Sequence, residues 1–288
     1  MNFLVTGGAG FIGSHLVDRL VEDNHNVDVL DNFCTGFEEN KNSRANYIVR
    51  DIRDNLDDLD GYDTIFHLAA LARIQPSFDD PLETIGVNTQ GTANICELAR
   101  RLEAKVVYAG SSSFYGGAYL NPYAFTKWQG EEICKIFSNV YDLSTAIARF
   151  FNVYGDRHVC SGAYATVIGI FERQYKDKEV LTITGDGEQR RDFTHVSDIV
   201  SGLILMGRER WSGEIFNLGT GNNHSINELA AMYLHNIKYI AKRPGEAKNT
   251  LADISFSKKE LGYNPEIKLS DYVSDWLKCQ NKVSDIKD

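Results

Sequence analysis

The chain has no apolar run approaching the roughly 20 residues that a membrane span needs, no paired cysteines, no excess of basic charge, and no internal repeat or low-complexity segment. Each absence excludes something. Without such a run, no transmembrane helix is expected. The five cysteines, Cys34, Cys96, Cys134, Cys160 and Cys279, are scattered, odd in number and never in a CxxC pair. That pattern argues against a disulfide scaffold or a zinc site and fits a reducing cytoplasm; no metal ligands are assigned. Forty acidic against thirty basic residues leave a net charge of −10. Nucleic acid and anionic membrane are therefore not expected partners, although a local basic pocket for phosphates remains open. Asn2-Phe-Leu-Val-Thr6 opens the chain without a basic n-region, so no signal peptide is expected. What is present is ordinary globular composition, 43% apolar, 24% charged and 11% aromatic over 288 residues. That suffices for a sizeable core and about two domains in a soluble, cytoplasmic protein.

Short apolar runs at Phe3–Val5, Val27–Leu30, Thr64–His67, Lys105–Tyr108 and Thr145–Ala148 read as buried strands. Helical patterns stand between several of them, at Phe11–Val21, Glu83–Leu102 and Ala124–Phe137. Strands alternating with helices imply βαβ units, hence an α/β fold with a parallel, doubly wound sheet. After Arg149 the rhythm loosens and glycines punctuate shorter elements. The expected organisation is a nucleotide-binding domain over residues 1–150 and a smaller substrate-binding domain over 151–288, with a helix within residues 190–210 returning to the first. Asn281–Asp288 is polar and expected to fray.

Gly7-Gly-Ala-Gly10-Phe11-Ile12-Gly13 follows the first strand and opens the helix carrying Leu16, Val17 and Leu20. One glycine permits a tight turn, another lets backbone N–H groups approach a pyrophosphate, and a third allows close helix–strand packing. The helix N-terminus adds partial positive charge. Glycines alone also mark plain turns, but a strand before and a helix after favour a dinucleotide site. Eighteen residues past Gly13, Asp31 ends the second strand. A carboxylate there accepts hydrogen bonds from the adenosine ribose and repels a 2′-phosphate, favouring NAD over NADP; by itself it would be a solvated strand end. Asn32 beside it, and Asp51-Ile52 after the strand-like Tyr47–Val49, are further candidate cofactor contacts.

Tyr123-Ala-Phe-Thr-Lys127 begins a helical pattern in which Tyr and Lys share one face. A phenol of pKa about 10 is a poor base at neutral pH, but a nearby ammonium or a positive nicotinamide ring favours the phenolate. Upstream, Ser111-Ser-Ser-Phe-Tyr-Gly116 ends a strand, the edge at which open α/β sheets bind ligands. A serine there can hydrogen-bond an alcohol undergoing oxidation. Singly, Tyr–Lys pairs are frequent on helix surfaces and serine runs are polar loops. All three in order behind a nucleotide turn are hard to assign to chance.

With these motifs the sequence resembles the extended short-chain dehydrogenase/reductase family, specifically its nucleotide-sugar epimerases and dehydratases. The likeness runs from Asn2 to Pro265 through GGAGFIGSHL, LDNFCTG, HLAA, VNTQGT, SSSFYG, YAFTK, RFFNVYG, GDGEQRRDFTHVSDI, FNLGTG and LADIS. It implies a Rossmann-type sheet, a smaller C-terminal α/β domain, NAD as cofactor and a nucleotide sugar, most simply a UDP-sugar, as substrate. Ser111, Tyr123 and Lys127 match the catalytic set. Ala69, Ala70, Asn88 and His67 would line the cofactor, although a lone histidine at a strand end is more often packed. Asn152, Arg191 and Arg243 match residues that hold the nucleotide diphosphate, for which an arginine fork is suited. The bland alternatives are a salt bridge from Arg191 to Asp192 or Asp198, and a surface charge at Arg243.

The two positions after the catalytic hydroxyl divide the family. Dehydratases carry Asp-Glu there; this chain has Ser112 and Ser113, which cannot exchange protons like a carboxyl near pH 7. The implied reaction is 4-epimerisation, with a 4,6-dehydratase, another epimerase or reductase, or a non-catalytic NAD-binding protein as alternatives. Thr250 stands where the family places a gate beside the sugar, and its small size leaves room for an N-acetyl group. Two departures stand out. Only eleven residues separate Ser111 from Tyr123, predicting a more open pocket, and Gly169 replaces a common proline. Glu83–Leu102 and Ala124–Phe137 resemble the helices through which relatives form homodimers, though their apolar faces could equally be buried within one chain.

Overall fold

In the computed structural model, which describes residues 1–245 and 247–284, the apolar runs become the strands of one sheet. They are β1 (Asn2–Thr6), β2 (Asn26–Asp31), β3 (Asn46–Val49), β4 (Thr64–His67), β5 (Lys105–Ser111), β6 (Thr145–Phe150) and β7 (Ser212–Leu218). The spatial order is β3-β2-β1-β4-β5-β6-β7, with every neighbouring pair parallel. Alternating side chains feed two cores. Phe3, Val5 and Val29 pack with α1 (Phe11–Glu22) on one face; Leu4, Leu30 and Ile65 pack with α2 (Gly91–Leu102) on the other. Helix α3 (Pro122–Tyr141) shares that second face, and α4 (Val196–Arg208) lies beside α1.

The chain after residue 190 thus returns to the sheet as a helix and also as a strand. β7, pairing with β6, does not stand out as an apolar run: Ser212, Glu214 and Asn217 interrupt it, and a register irregularity falls at Gly213. The pattern at Glu83–Leu102 is likewise not one helix. A short helix Pro81–Ile85 passes through a π turn, Gly86–Gln90, before α2 begins. Inside that turn Asn88 points inward to bond the Leu71 backbone.

Residues beyond β6 build a third core around Tyr154, Phe171, Ile183 and Leu229. Two-stranded ladders border it: Asn152–Tyr154 with Phe193–His195, Leu181–Thr184 with Ile237–Ile240, and Arg190–Arg191 with His224–Ser225. The final helix, Leu269–Ser284, continues into the segment expected to fray; residues 285–288 lie outside those described. No helix among the described residues is long and apolar enough to cross a membrane. The β1/β4 boundary is the topological switch point, and the carboxyl ends of the strands open there into a crevice.

Candidate active site

Two cavities occupy that crevice. A groove of about 210 Å3 runs over the glycine turn and the ends of β2 and β4, and a larger cavity of about 400 Å3 lies between the sheet and the third core. Phe11, Arg73, Gly110, Tyr123 and Phe150 line both, so the two meet.

The groove is shaped by missing side chains. Gly7 has φ +72°, and a Cβ there would lie 2.7 Å from the Ala69 nitrogen; one on Gly13 would lie 2.2 Å from the Gly7 carbonyl oxygen. Gly10 caps α1 without a side chain, and no acid stands in the first turn, leaving its N–H groups for an anion. Asp31 is buried at the groove edge, where its carboxylate accepts from Ala9 N–H (2.9 Å) and Phe33 N–H (2.8 Å). A carboxylate has about four acceptor sites, so two remain. Asn32, Asp51, Ile52, Ala69 and Ala70 also line the groove. The Asp51 carboxyl is held below its ordinary pKa, first by the Arg53 guanidinium. The donor set and this shape fit a dinucleotide.

Asn88 lines neither cavity. Its amide ties the Leu71 backbone to Thr126 Oγ1 (3.0 Å). It holds the loop behind the groove, which a sequence motif does not distinguish from lining it. His67 is 1% exposed, bonded to Thr6 and Thr92 hydroxyls, and burial pushes its pKa down to about 3. It is a packed neutral imidazole.

At the seam, Tyr123 OH donates to Ser111 Oγ at 3.2 Å, and Ser113 N–H donates to the same oxygen. Asn121 caps α3 through Ala124 N–H, with Pro122 in the first turn, and these fix Tyr123 at the helix start. The buried Arg149–Glu131 pair, 2.6 Å at its shortest, clamps α3 to β6. Tyr–Lys spacing suggests an ammonium beside the phenol, but the electrostatics differ. Burial pushes the Tyr123 phenol up, while the Ser111 hydrogen bond and the Arg73 charge pull it down. Lys127 lines the smaller groove instead, with Nζ 4.3 Å from the Tyr108 ring centroid. Burial lowers its pKa to about 8, against upward pulls from Glu131 and Cys134.

Ser111, Asn152, Arg191, Arg243 and Thr250 all line the larger cavity. Asp192 accepts from the Thr220, Gly221 and Ala252 N–H groups and Asp198 from those of Glu266 and Ile267, and Arg191 donates to the Arg190 carbonyl at 2.9 Å. The short Ser111–Tyr123 connection does not leave that flank bare. Asn121 and Gln75 amides donate to the Gly245 and Pro244 carbonyls, drawing that distant loop across. Sequence spacing misses Arg73 and Tyr164, which reach the groove from otherwise unpatterned loops. It also misses the convergence of His158, Cys160 and Glu172, where imidazole and carboxylate bond each other at 3.0 Å.

Known proteins share this arrangement. The sequence model of the NAD dependent epimerase/dehydratase family matches residues 3–219. A putative UDP-glucose 4-epimerase of Methanocaldococcus jannaschii is 36% identical, over 97% of this chain and 99% of its own. The crystal structure of a Thermotoga maritima UDP-glucose 4-epimerase with UDP-glucose superposes with TM-score 0.92 at 30% identity, covering 98% and 99% of the two chains. A UDP-N-acetylglucosamine 4-epimerase from Methanobrevibacter ruminantium, in complex with UDP-N-acetylmuramic acid, gives 0.88 at 32%, covering 96% and 97%. With its parallel sheet, glycine turn and serine–tyrosine seam, the chain belongs to the NAD-dependent epimerase/dehydratase family.

Proposed function

We propose that the chain is a nucleotide-sugar 4-epimerase acting on a UDP-N-acetylhexosamine, a UDP-hexose or both. The observation that carries this reading is the Tyr123–Ser111 hydrogen bond at the junction of the two cavities. NAD bound in the groove would supply reversible hydride transfer at C4. Gly7, Gly10, Phe11, Ile12 and Gly13 cradle its pyrophosphate, Asp31 its adenosine ribose, and Lys127 the ribose at the nicotinamide end. Tyr123 takes the proton of the sugar 4-hydroxyl and later restores it, with Ser111 holding that oxygen. Asn152, Arg191 and Arg243 hold the diphosphate, and Thr250 leaves space at C2. Ser112 and Ser113 offer no carboxyl for eliminating water, which speaks against dehydration. The expected result with UDP-glucose or UDP-N-acetylglucosamine is a mixture of two C4 epimers by NMR. A 4-keto-6-deoxy product, or bound NAD without turnover, would overturn the reading.

Residues 1–150 together with α4 and β7 form the nucleotide-binding unit in this proposal, and the rest of 151–288 the substrate unit. A Gly13→Ala methyl must displace the turn, an overlap costing on the order of 1–3 kcal/mol, about 5- to 150-fold in NAD affinity. Calorimetric titration with NAD measures it; unchanged affinity would remove the turn from the site.

Homodimerisation through α2 and α3 is part of the same proposal. On α3, Ile136 and Val140 are 57% and 64% exposed one turn apart, an apolar pair suited to helix–helix packing. Light scattering should find a wild-type dimer and an Ile136→Glu monomer. A monomeric wild type would sink this assignment.

A further inference from the structure

Arg73 is the one arginine among the described residues that lines both cavities. Its guanidinium is tethered by neutral acceptors: Nε donates to the Tyr164 carbonyl at 2.8 Å and Nη1 to the Ala72 carbonyl at 3.0 Å. Two of its five N–H donors are thereby engaged. Among the described residues no carboxylate pairs with it, whereas Arg149 has Glu131, and Arg53 has Asp51 and Glu83. Burial pulls the Arg73 pKa down, and the phenols of Tyr123 and Tyr164 pull it the other way. A half-buried cation without a counter-ion gains when a ligand supplies the charge.

Two further groups in the larger cavity lack partners. Among the described residues, Ser113 Oγ and Thr250 Oγ1 are buried without a hydrogen bond, and Thr250 is only 6% exposed. Among the described residues, Arg73 therefore stands in this cavity without a carboxylate partner. Arg191 and Arg243 line only the larger cavity, which leaves the diphosphate to them. Arg73 stands with Tyr123 at the seam, where the hexose must lie to react.

We propose that Arg73 receives a carboxylate carried by the hexose, so that the preferred substrate is a nucleoside diphosphate hexuronic acid. This rests on the epimerase reading for its chemistry but not for its binding. A guanidinium fork meets a carboxylate with two parallel hydrogen bonds and gains far less from a primary alcohol.

The test compares UDP-glucuronic acid with UDP-glucose, which differ only at C6, in wild type and Arg73→Gln. Both kcat/KM and Kd are measured, and NAD content is read after denaturation. The wild type is expected to prefer the uronate by about 10- to 100-fold, and Arg73→Gln to collapse that ratio towards one. If the glutamine variant fails to fold, Arg73→Lys, which keeps the charge and loses the fork, must still lower the ratio. A wild-type ratio at or below one overturns the proposal. So does an equal loss for both sugars, or a loss that follows NAD content, since Arg73 would then serve the loop or the cofactor. Tighter uronate binding without any C4 epimer would sustain the carboxylate site while removing the epimerase reading.

Discussion

Tyr123→Phe is expected to lower kcat by about 10³- to 10⁴-fold, the upper part of the range for losing a positioned acid–base group. Tm and NAD content should stay close to wild type. The reason for the separation is local. The phenol makes one hydrogen bond, to Ser111 Oγ, and that oxygen also accepts from Ser113 N–H, so removing the phenol oxygen leaves Ser111 partnered. The ring stays where the Asn121 cap and Pro122 put it. With NAD in place, the variant should also fail to build absorbance near 340 nm when a nucleotide sugar is added. Turnover within about threefold of wild type would mean that another group carries the proton.

Much of this site was legible because local physics fixes it. A turn in which no Cβ fits between Gly13 and the Gly7 carbonyl has few alternative sequences, and five buried strands announce themselves as β-branched and aliphatic runs. Ser111 and Tyr123 sit at a strand end and a helix start, so the sheet's topology alone brings them to one edge. The rest depends on tertiary partners. β7 carries its apolar residues on a half-polar pattern because only one partner strand, β6, selects it. Asn88 and His67 carry residue types that equally suit a groove lining and an internal tie. Arg73 is a single charge in an aperiodic loop; only the folded chain reveals that no carboxylate among the described residues pairs with it.

The Tyr–Lys spacing is the instructive case. It correctly places both side chains on one helix face, yet the face looks onto two cavities. Tyr123 borders both and Lys127 only the groove, so the charge that tempers the phenol here belongs to Arg73. Spacing along a helix fixes direction and leaves open what each side chain meets.

Lys127→Met is therefore expected to separate stability from activity. Lys127 is 4% exposed, its Nζ packed against the Tyr108 ring, and burial holds its pKa at about 8 against about 10.4 in an unfolded chain. Below pH 8 the amine is charged in both states, and folding bears the full cost of enclosing that charge. Between pH 8 and about 10.4 the native form has released the proton that the unfolded form still holds, so stability from this group rises with pH across that window. Methionine removes the cost at neutral pH, roughly 3 kcal/mol less whatever the ring contact contributed. Lys127→Met should melt higher than wild type at pH 7, and the gap should close towards pH 10. Activity should move oppositely, falling about 10²- to 10³-fold as the groove loses the cation proposed to order the ribose. A variant that melts lower at pH 7, or a gap that widens as pH rises, would contradict the buried-charge account; a variant that stays active would strike Lys127 from the reaction.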